Sequence, residues 1–315
     1  MHIPLARKWA RTGARTGPFA DPGRDTMSTY GAAAPSRWST VGGTLLTLAM
    51  VLGLARALFG EGLAGFSQAL PRDPWFYIAS VALYLTVPVG DFVIFRRLWR
   101  LPAAGFAALL KKGIANEVVL GYAGEVYFYS WAKARAQMVP APFGAVKDVS
   151  ILSALAGNVV TLLLVALALP FAYRAVPPDL GLSLVWSVGV VIATSLPFLI
   201  FARRVFSLPK GARWWIFAVH MARLGAAAFL VAIVWRLGLP ELGLGSLMIL
   251  SAGRMLVGRL PLVPNKDLLF ANFTVLLVGQ DAGVSAVVAI TAAFTLVLHL
   301  ALTLVFGLQA LMRKF

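Results

Sequence analysis

The chain has 315 residues, 60% of them hydrophobic and 13% charged, with a mean hydropathy of +0.83. That apolar surface exceeds what a soluble fold hides, and continuous apolar runs of about 20 residues point to membrane-spanning helices and exclude a β-barrel, whose runs alternate over about 10. The formal net charge of +16 fits basic cytoplasmic loops against anionic lipid rather than a nucleic-acid partner, because no aromatic-interleaved basic face accompanies it. The chain has no cysteine, which excludes disulfides, thiolate metal sites and a Cys nucleophile.

Residues 1–40 read as a basic, disordered tail carrying Arg7, Arg11, Arg15 and Arg24 without the apolar core of a signal peptide. Translation from either Met1 or Met27 fits this segment. Residues 41–312 read as one transmembrane domain. Its first expected span is 41–59, followed by the loop 60–74. The second is 75–95, ending on Arg96, Arg97 and Arg100. A mixed stretch, 103–138, comes next, then a third span at 149–173 and a Pro-containing turn at 174–179. The fourth span is 180–202, ending on Arg203 and Arg204, and the fifth is 214–235. A second mixed stretch, 242–280, precedes the sixth span at 284–308 and a tail with Arg313 and Lys314.

The Lys and Arg bias places both termini in the cytoplasm of an inner (cytoplasmic) membrane. With about six full spans, that orientation requires each mixed stretch to return to the side it left. The expected fold is therefore an all-α polytopic membrane protein with six spans and two re-entrant hairpins. The halves, 41–173 and 180–308, form an inverted-topology repeat. An eight-span arrangement, with both hairpins crossing fully, is the alternative.

The first mixed stretch holds Lys111, Lys112, Asn116, Glu117, Gly121, Tyr122, Gly124 and Glu125. Glu117 and Glu125 are two turns apart on a continuous helix. A carboxylate facing lipid is costly, so each is expected to face a cavity, pair with a cation or bind a proton. The competing reading is an amphipathic surface helix with solvated glutamates, which Lys111, Lys112, Lys133 and Arg135 suit. In the second stretch, Pro261 and Pro264 end a helix and Asp267 can begin another. Asn265 or Asp267 would cap it and leave its positive end aimed at an anion. Arg254, Arg259 and Lys266 supply cations suited to phosphate, Asn272 lies one turn further on, and ordinary loop cations are the alternative.

Elsewhere, His220 and Arg223 share a face of the fifth span. Asp91 sits one turn before Arg96 and is expected to pair with that basic cluster. Asn158 and His299 read as interhelical or packing residues, and Arg56 as a snorkelling one. The three histidines lack metal-ligand spacing, and no nucleophile elbow, Walker loop or dinucleotide glycine loop appears. The chain is therefore not expected to be an enzyme, and no cofactor or metal is implied.

Gly121-Tyr122-Ala123-Gly124-Glu125 with Lys133 and Arg135, and Leu260-Pro261-Leu262-Val263-Pro264, resemble two signatures of the flippase-like transmembrane region of lysylphosphatidylglycerol synthases. A weaker likeness surrounds Gly283 and Val284, and together these cover roughly residues 41–312. The family continues its second proline with Gly-Gly and a later glutamate. Here Asn265, Lys266 and Ala271 occupy those positions. The aminoacyltransferase domain of the synthases is not expected, since the chain stops at Phe315. The resemblance and the two breaks together imply a lipid flippase or lipid-linked-precursor transporter. The substrate-binding residues would be Glu117, Glu125, Arg254, Arg259, Lys266, Asp267, Asn272, His220 and Arg223. The partner would be a phospholipid or polyprenyl-phosphate-linked lipid. A non-transporting subunit that anchors a lipid-modifying enzyme, or a proton-coupled small-solute carrier, are the rival expectations.

Overall fold

The computed structural model describes residues 51–52, 70–118, 123–135, 142–175, 189, 193, 205–260, 263, 265–278 and 282–312. Nearly all of the expected spans at 41–59 and 180–202 lie outside the described residues, as do the tail, Gly121, Tyr122, Pro261 and Pro264. The described residues form eight helices and no strand: α1 Pro74–Trp99, α2 Ala104–Val118, α3 Ala123–Lys133, α4 Pro142–Ala175, α5 Lys210–Gly238, α6 Leu244–Val257, α7 Lys266–Val278 and α8 Ala282–Met312.

Four of these helices are long and apolar enough to cross a membrane: Pro74–Trp99, Phe143–Phe171, Lys210–Gly238 and Gly283–Met312. Each rises well over the ~30 Å of a hydrocarbon core. α2, α3, α6 and α7 have 15, 11, 14 and 13 residues. At about 1.5 Å per residue, none reaches across that core. The order long helix, short pair, long helix thus occurs twice, over Pro74–Ala175 and Lys210–Met312.

Local chemistry sets the ends. Asp73 caps α1, its Oδ1 accepting from Trp75 N at 2.9 Å, with Pro74 at the first helical position. Arg96 and Arg97 occupy its last turn, where they oppose the negative dipole end, and Arg100 closes it with a φ of 53°. α4 begins earlier than hydropathy suggests because Lys147 and Asp148 are anchored. The buried Asp148 Oδ2 accepts from Ser207 N at 2.7 Å and Leu208 N at 2.6 Å. Lys147 Nζ donates to the Val205 carbonyl and to Ser207 Oγ. These bonds fix the chain entering α5 against α4.

The interior is two apolar clusters. One gathers Phe76 and Leu83 of α1, Val231, Val234 and Trp235 of α5, Leu247 and Leu250 of α6, Leu268 and Phe270 of α7, and Val287–Ile290 of α8. The other gathers Ile94, Phe95 and Trp99 of α1, Leu109 of α2, Phe128 of α3, Val149 and Leu152 of α4, and Ile216 of α5. α1 and α5 contribute to the two clusters in opposite chain order, so they run antiparallel. The second cluster carries an aromatic series, with Phe95 tilted against Phe128 at a centroid distance of 4.7 Å and Phe128 stacked on Trp131 at 5.7 Å. Cations sit on aromatic rings at the same end: Arg97 over Trp215 at 4.3 Å, Arg135 over Trp131 at 4.2 Å, and Arg213 over Phe206 at 5.1 Å.

Candidate functional site

Between the two apolar clusters the same helices turn polar. Pro88 and Asp91 on α1, Ser153 and Asn158 on α4, Arg223 on α5, and Thr295 and His299 on α8 line a cavity of about 810 Å³ with the ends of both short helix pairs. Pro88 removes a backbone donor inside α1, and Gly90 gives room beside it. A Cβ on Gly90 would come within 2.4 Å of Arg223 Cδ, so this glycine lets the arginine of α5 pass α1.

Glu117, Glu125, Arg254, Arg259, Lys266, Asp267 and Arg223 all line this one cavity. Two sequence candidates do not. The Asn272 amide turns back along its own helix, donating to the Leu268 carbonyl at 2.8 Å. His220 is fully buried beside the cavity, close enough to feel Asp91, Arg223 and Lys112.

The two interrupted stretches meet directly. The C-terminal end of α2 faces the N-terminal end of α7, and Asn265 N donates to the Glu117 carbonyl at 3.2 Å. Asn265 sits at φ 47°, a left-handed conformation that asparagine tolerates, and its carbonyl then accepts from Leu269 N to start α7. The facing ends carry opposite dipole charge, which favours the contact. The Glu117 carboxylate accepts from the Lys266 backbone N–H. The positive helix end that the sequence aimed at a ligand anion is therefore occupied by the protein's own carboxylate.

Arg254 and Lys266 are also engaged within the protein. Arg254 Nη2 lies 2.9 Å from Asp267 Oδ1 and 3.0 Å from its Oδ2, and Lys266 Nζ donates to the Gly258 carbonyl at 2.9 Å. These contacts staple the α6–α7 corner, the Lys266 side chain satisfying the carbonyl of Gly258 at the C-cap of α6. Glu117 and Lys266 lie outside the four long spans. Burial, and then the charge of Asp267, push the Glu117 carboxyl up to about 7, against the pull of Lys266 and Arg254. Burial, with the neighbouring Arg259 charge, draws the Lys266 ammonium below its usual range although Glu117 opposes this.

A second network joins α1, α2 and α3. Lys112 Nζ lies 2.6 Å from Asp91 Oδ2 and 3.3 Å from Glu125 Oε1. This corrects two sequence readings. Asp91 pairs with Lys112 rather than with the arginine cluster, and Arg96 instead lies over the Phe92 ring at 5.6 Å. Lys112 is buried, not solvated on a surface helix. α3 is held against α2 by Gly124, whose N–H donates to Asn116 Oδ1 at 2.7 Å. A Cβ there would meet the Lys112 carbonyl at 2.0 Å, so only glycine allows this approach. Asp91 and Lys112 are the residues that sequence reasoning undervalued. The available signal was a carboxylate inside an apolar span, which needs a cation from elsewhere.

No family model, no curated protein and no solved structure matches this chain.

Proposed function

We propose that this chain is a membrane transporter of phosphate-bearing lipids, a flippase or lipid-linked-precursor transporter, that takes the headgroup into the cavity between its two short helix pairs. The observation that carries the reading is a large mixed-charge cavity inside a molecule whose long helices are otherwise apolar. Ionisable groups at membrane depth are expensive and are kept where they face a water-filled path or a ligand. A scaffold subunit needs no such space.

Several features agree with this reading. The short pairs are too short to cross the hydrocarbon core singly, and in this reading each pair enters the bilayer and returns. The twice-repeated helix order suits an inverted repeat, and in this reading its halves rock to alternate access. The end bearing Arg97, Arg135, Arg213 and Lys147 faces the cytoplasm of the inner membrane, where basic residues accumulate. The resemblance to the membrane region of lysylphosphatidylglycerol synthases points to the same substrate class.

Reconstituted vesicles test this. The protein should accelerate movement of a labelled anionic phospholipid between leaflets by about tenfold or more over empty vesicles. The Asn158→Trp variant, which fills the cavity, should lose that activity while keeping its thermal transition. Acceleration unaffected by N158W, or none at all with folded protein, would overturn the reading. Transport of a small solute driven by a pH gradient and indifferent to lipid would replace it with a solute carrier.

A further inference from the structure

The cavity wall on α4 brings together two arginines from separate elements. Arg223 of α5 donates from Nη2 to Ser153 Oγ at 2.9 Å. Arg259, which follows α6, lies so close to α4 that a Cβ on Gly157 would fall 2.0 Å from its Nη1 and 2.7 Å from its Cζ. Ser153 and Gly157 are one helical turn apart on one face, about 6 Å along the axis. Both arginines line the cavity, and the buried Arg223 Nε has no hydrogen-bond partner among the described residues.

The carboxylates around the cavity have contacts of their own, and Asp91 also feels the Arg223 charge. Asp91 and Glu125 hold Lys112, Asp267 holds Arg254, and Glu117 takes the Lys266 N–H. Among the described lining residues, five cations against four carboxylates leave at least one formal positive charge in excess, and a proton on Glu117 adds to it. In a low-dielectric site, net negative charge on the occupant offsets this excess. Planar guanidinium forks match phosphate oxygens in pairs.

We infer that Arg223 and Arg259, seated on the Ser153–Gly157 face of α4, form a two-guanidinium clamp for the phosphodiester of a lipid carrying one net negative charge. This deepens the transporter reading and rests on it. Of the three cations that the sequence suggested for the phosphate, Arg254, Arg259 and Lys266, the clamp keeps Arg259 and joins it to Arg223, itself a sequence candidate. Gly157 is its positioning residue, since any side chain there drives Arg259 away from α4.

Native mass spectrometry of the full chain in mild detergent tests the clamp, with phosphatidylglycerol, phosphatidylcholine and diacylglycerol of identical chains as probes. The wild type should prefer phosphatidylglycerol to phosphatidylcholine. Arg223→Gln and Arg259→Gln should each weaken phosphatidylglycerol binding by about tenfold and leave diacylglycerol binding unchanged. Gly157→Ala keeps every charge and should weaken it as well. Arg223→Lys and Arg259→Lys, which retain the charge for folding, should restore only part of the affinity. Displacement of the lipid by inorganic phosphate would support the clamp with free phosphate as a competing occupant, and failure to displace it would support the lipid as the sole source. If folded R223Q and R259Q bind phosphatidylglycerol as the wild type does, the clamp is wrong while the transporter reading stands. Equal affinity for phosphatidylcholine overturns the charge assignment. A wild type that retains no phospholipid overturns both.

Discussion

Replacing Lys112 by Met should destabilise the protein by about 3–5 kcal/mol, the cost of leaving buried charges without their partner. Lys112 is the only described cation within bonding distance of both Asp91 and Glu125, at 2.6 and 3.3 Å, and its side chain is 11% exposed. Methionine fills the same volume but strands two carboxylates. The chain would then take up protons, open locally or unfold. The measurement is the thermal midpoint in detergent. A second variant separates charge from packing: adding Asp91→Asn to Lys112→Met removes one stranded carboxylate and should recover a substantial part of the loss. A K112M protein with the wild-type midpoint would mean that this network bears no load, and α2 would not be held to α1 as described.

The second large effect concerns Glu117. Its carboxyl is raised from an ordinary 4.5 to about 7, so the folded state holds a proton that the unfolded chain has already released. The associated stability is fully present below pH ~4.5, declines as pH rises, and is lost once pH passes about 7. A shift of this size corresponds to roughly 3 kcal/mol. Glu117→Gln stays neutral at every pH and still offers an oxygen to the Lys266 N–H. The wild type and E117Q should therefore melt alike near pH 4.5, and E117Q should be the more stable at pH 8. Parallel melting curves for the two proteins across this range would show that Glu117 titrates as an ordinary glutamate.

Much of the fold was legible in the sequence. The long helices at Pro74–Trp99, Pro142–Ala175, Lys210–Gly238 and Ala282–Met312 coincide with expected spans because continuous apolar runs leave few alternatives. The boundary at α4 was missed since Lys147 and Asp148 look like loop residues until their bonds to 205–208 are known. The two broken stretches were visible from Gly, Pro and charge in apolar surroundings, and they meet through Glu117 and Asn265.

Pairing was less legible. The sequence placed Asp91 with Arg96 because one helical turn separates them, but the buried partner is Lys112, 21 residues away. Arg254 and Lys266 looked like ligand cations, yet short-range geometry spends them on Asp267 and the Gly258 carbonyl. Asn272 looked like part of the site until its amide bonded one turn back. Gly90 and Gly157 carried no signal of their own, because a glycine that admits another helix's arginine is recognisable only when that arginine is in place.

The central claim is that water and a lipid headgroup reach the space between the two helix pairs. The absence of native cysteine makes this directly measurable with single-cysteine variants in vesicles. Thr295 lines the cavity, whereas Val297 on the same helix is 57% exposed on the outer, apolar surface. The account predicts that Thr295→Cys reacts with a water-soluble, membrane-impermeant thiol reagent, that anionic phospholipid slows this reaction, and that Val297→Cys stays inert. Equal inertness at both positions in folded protein would contradict it.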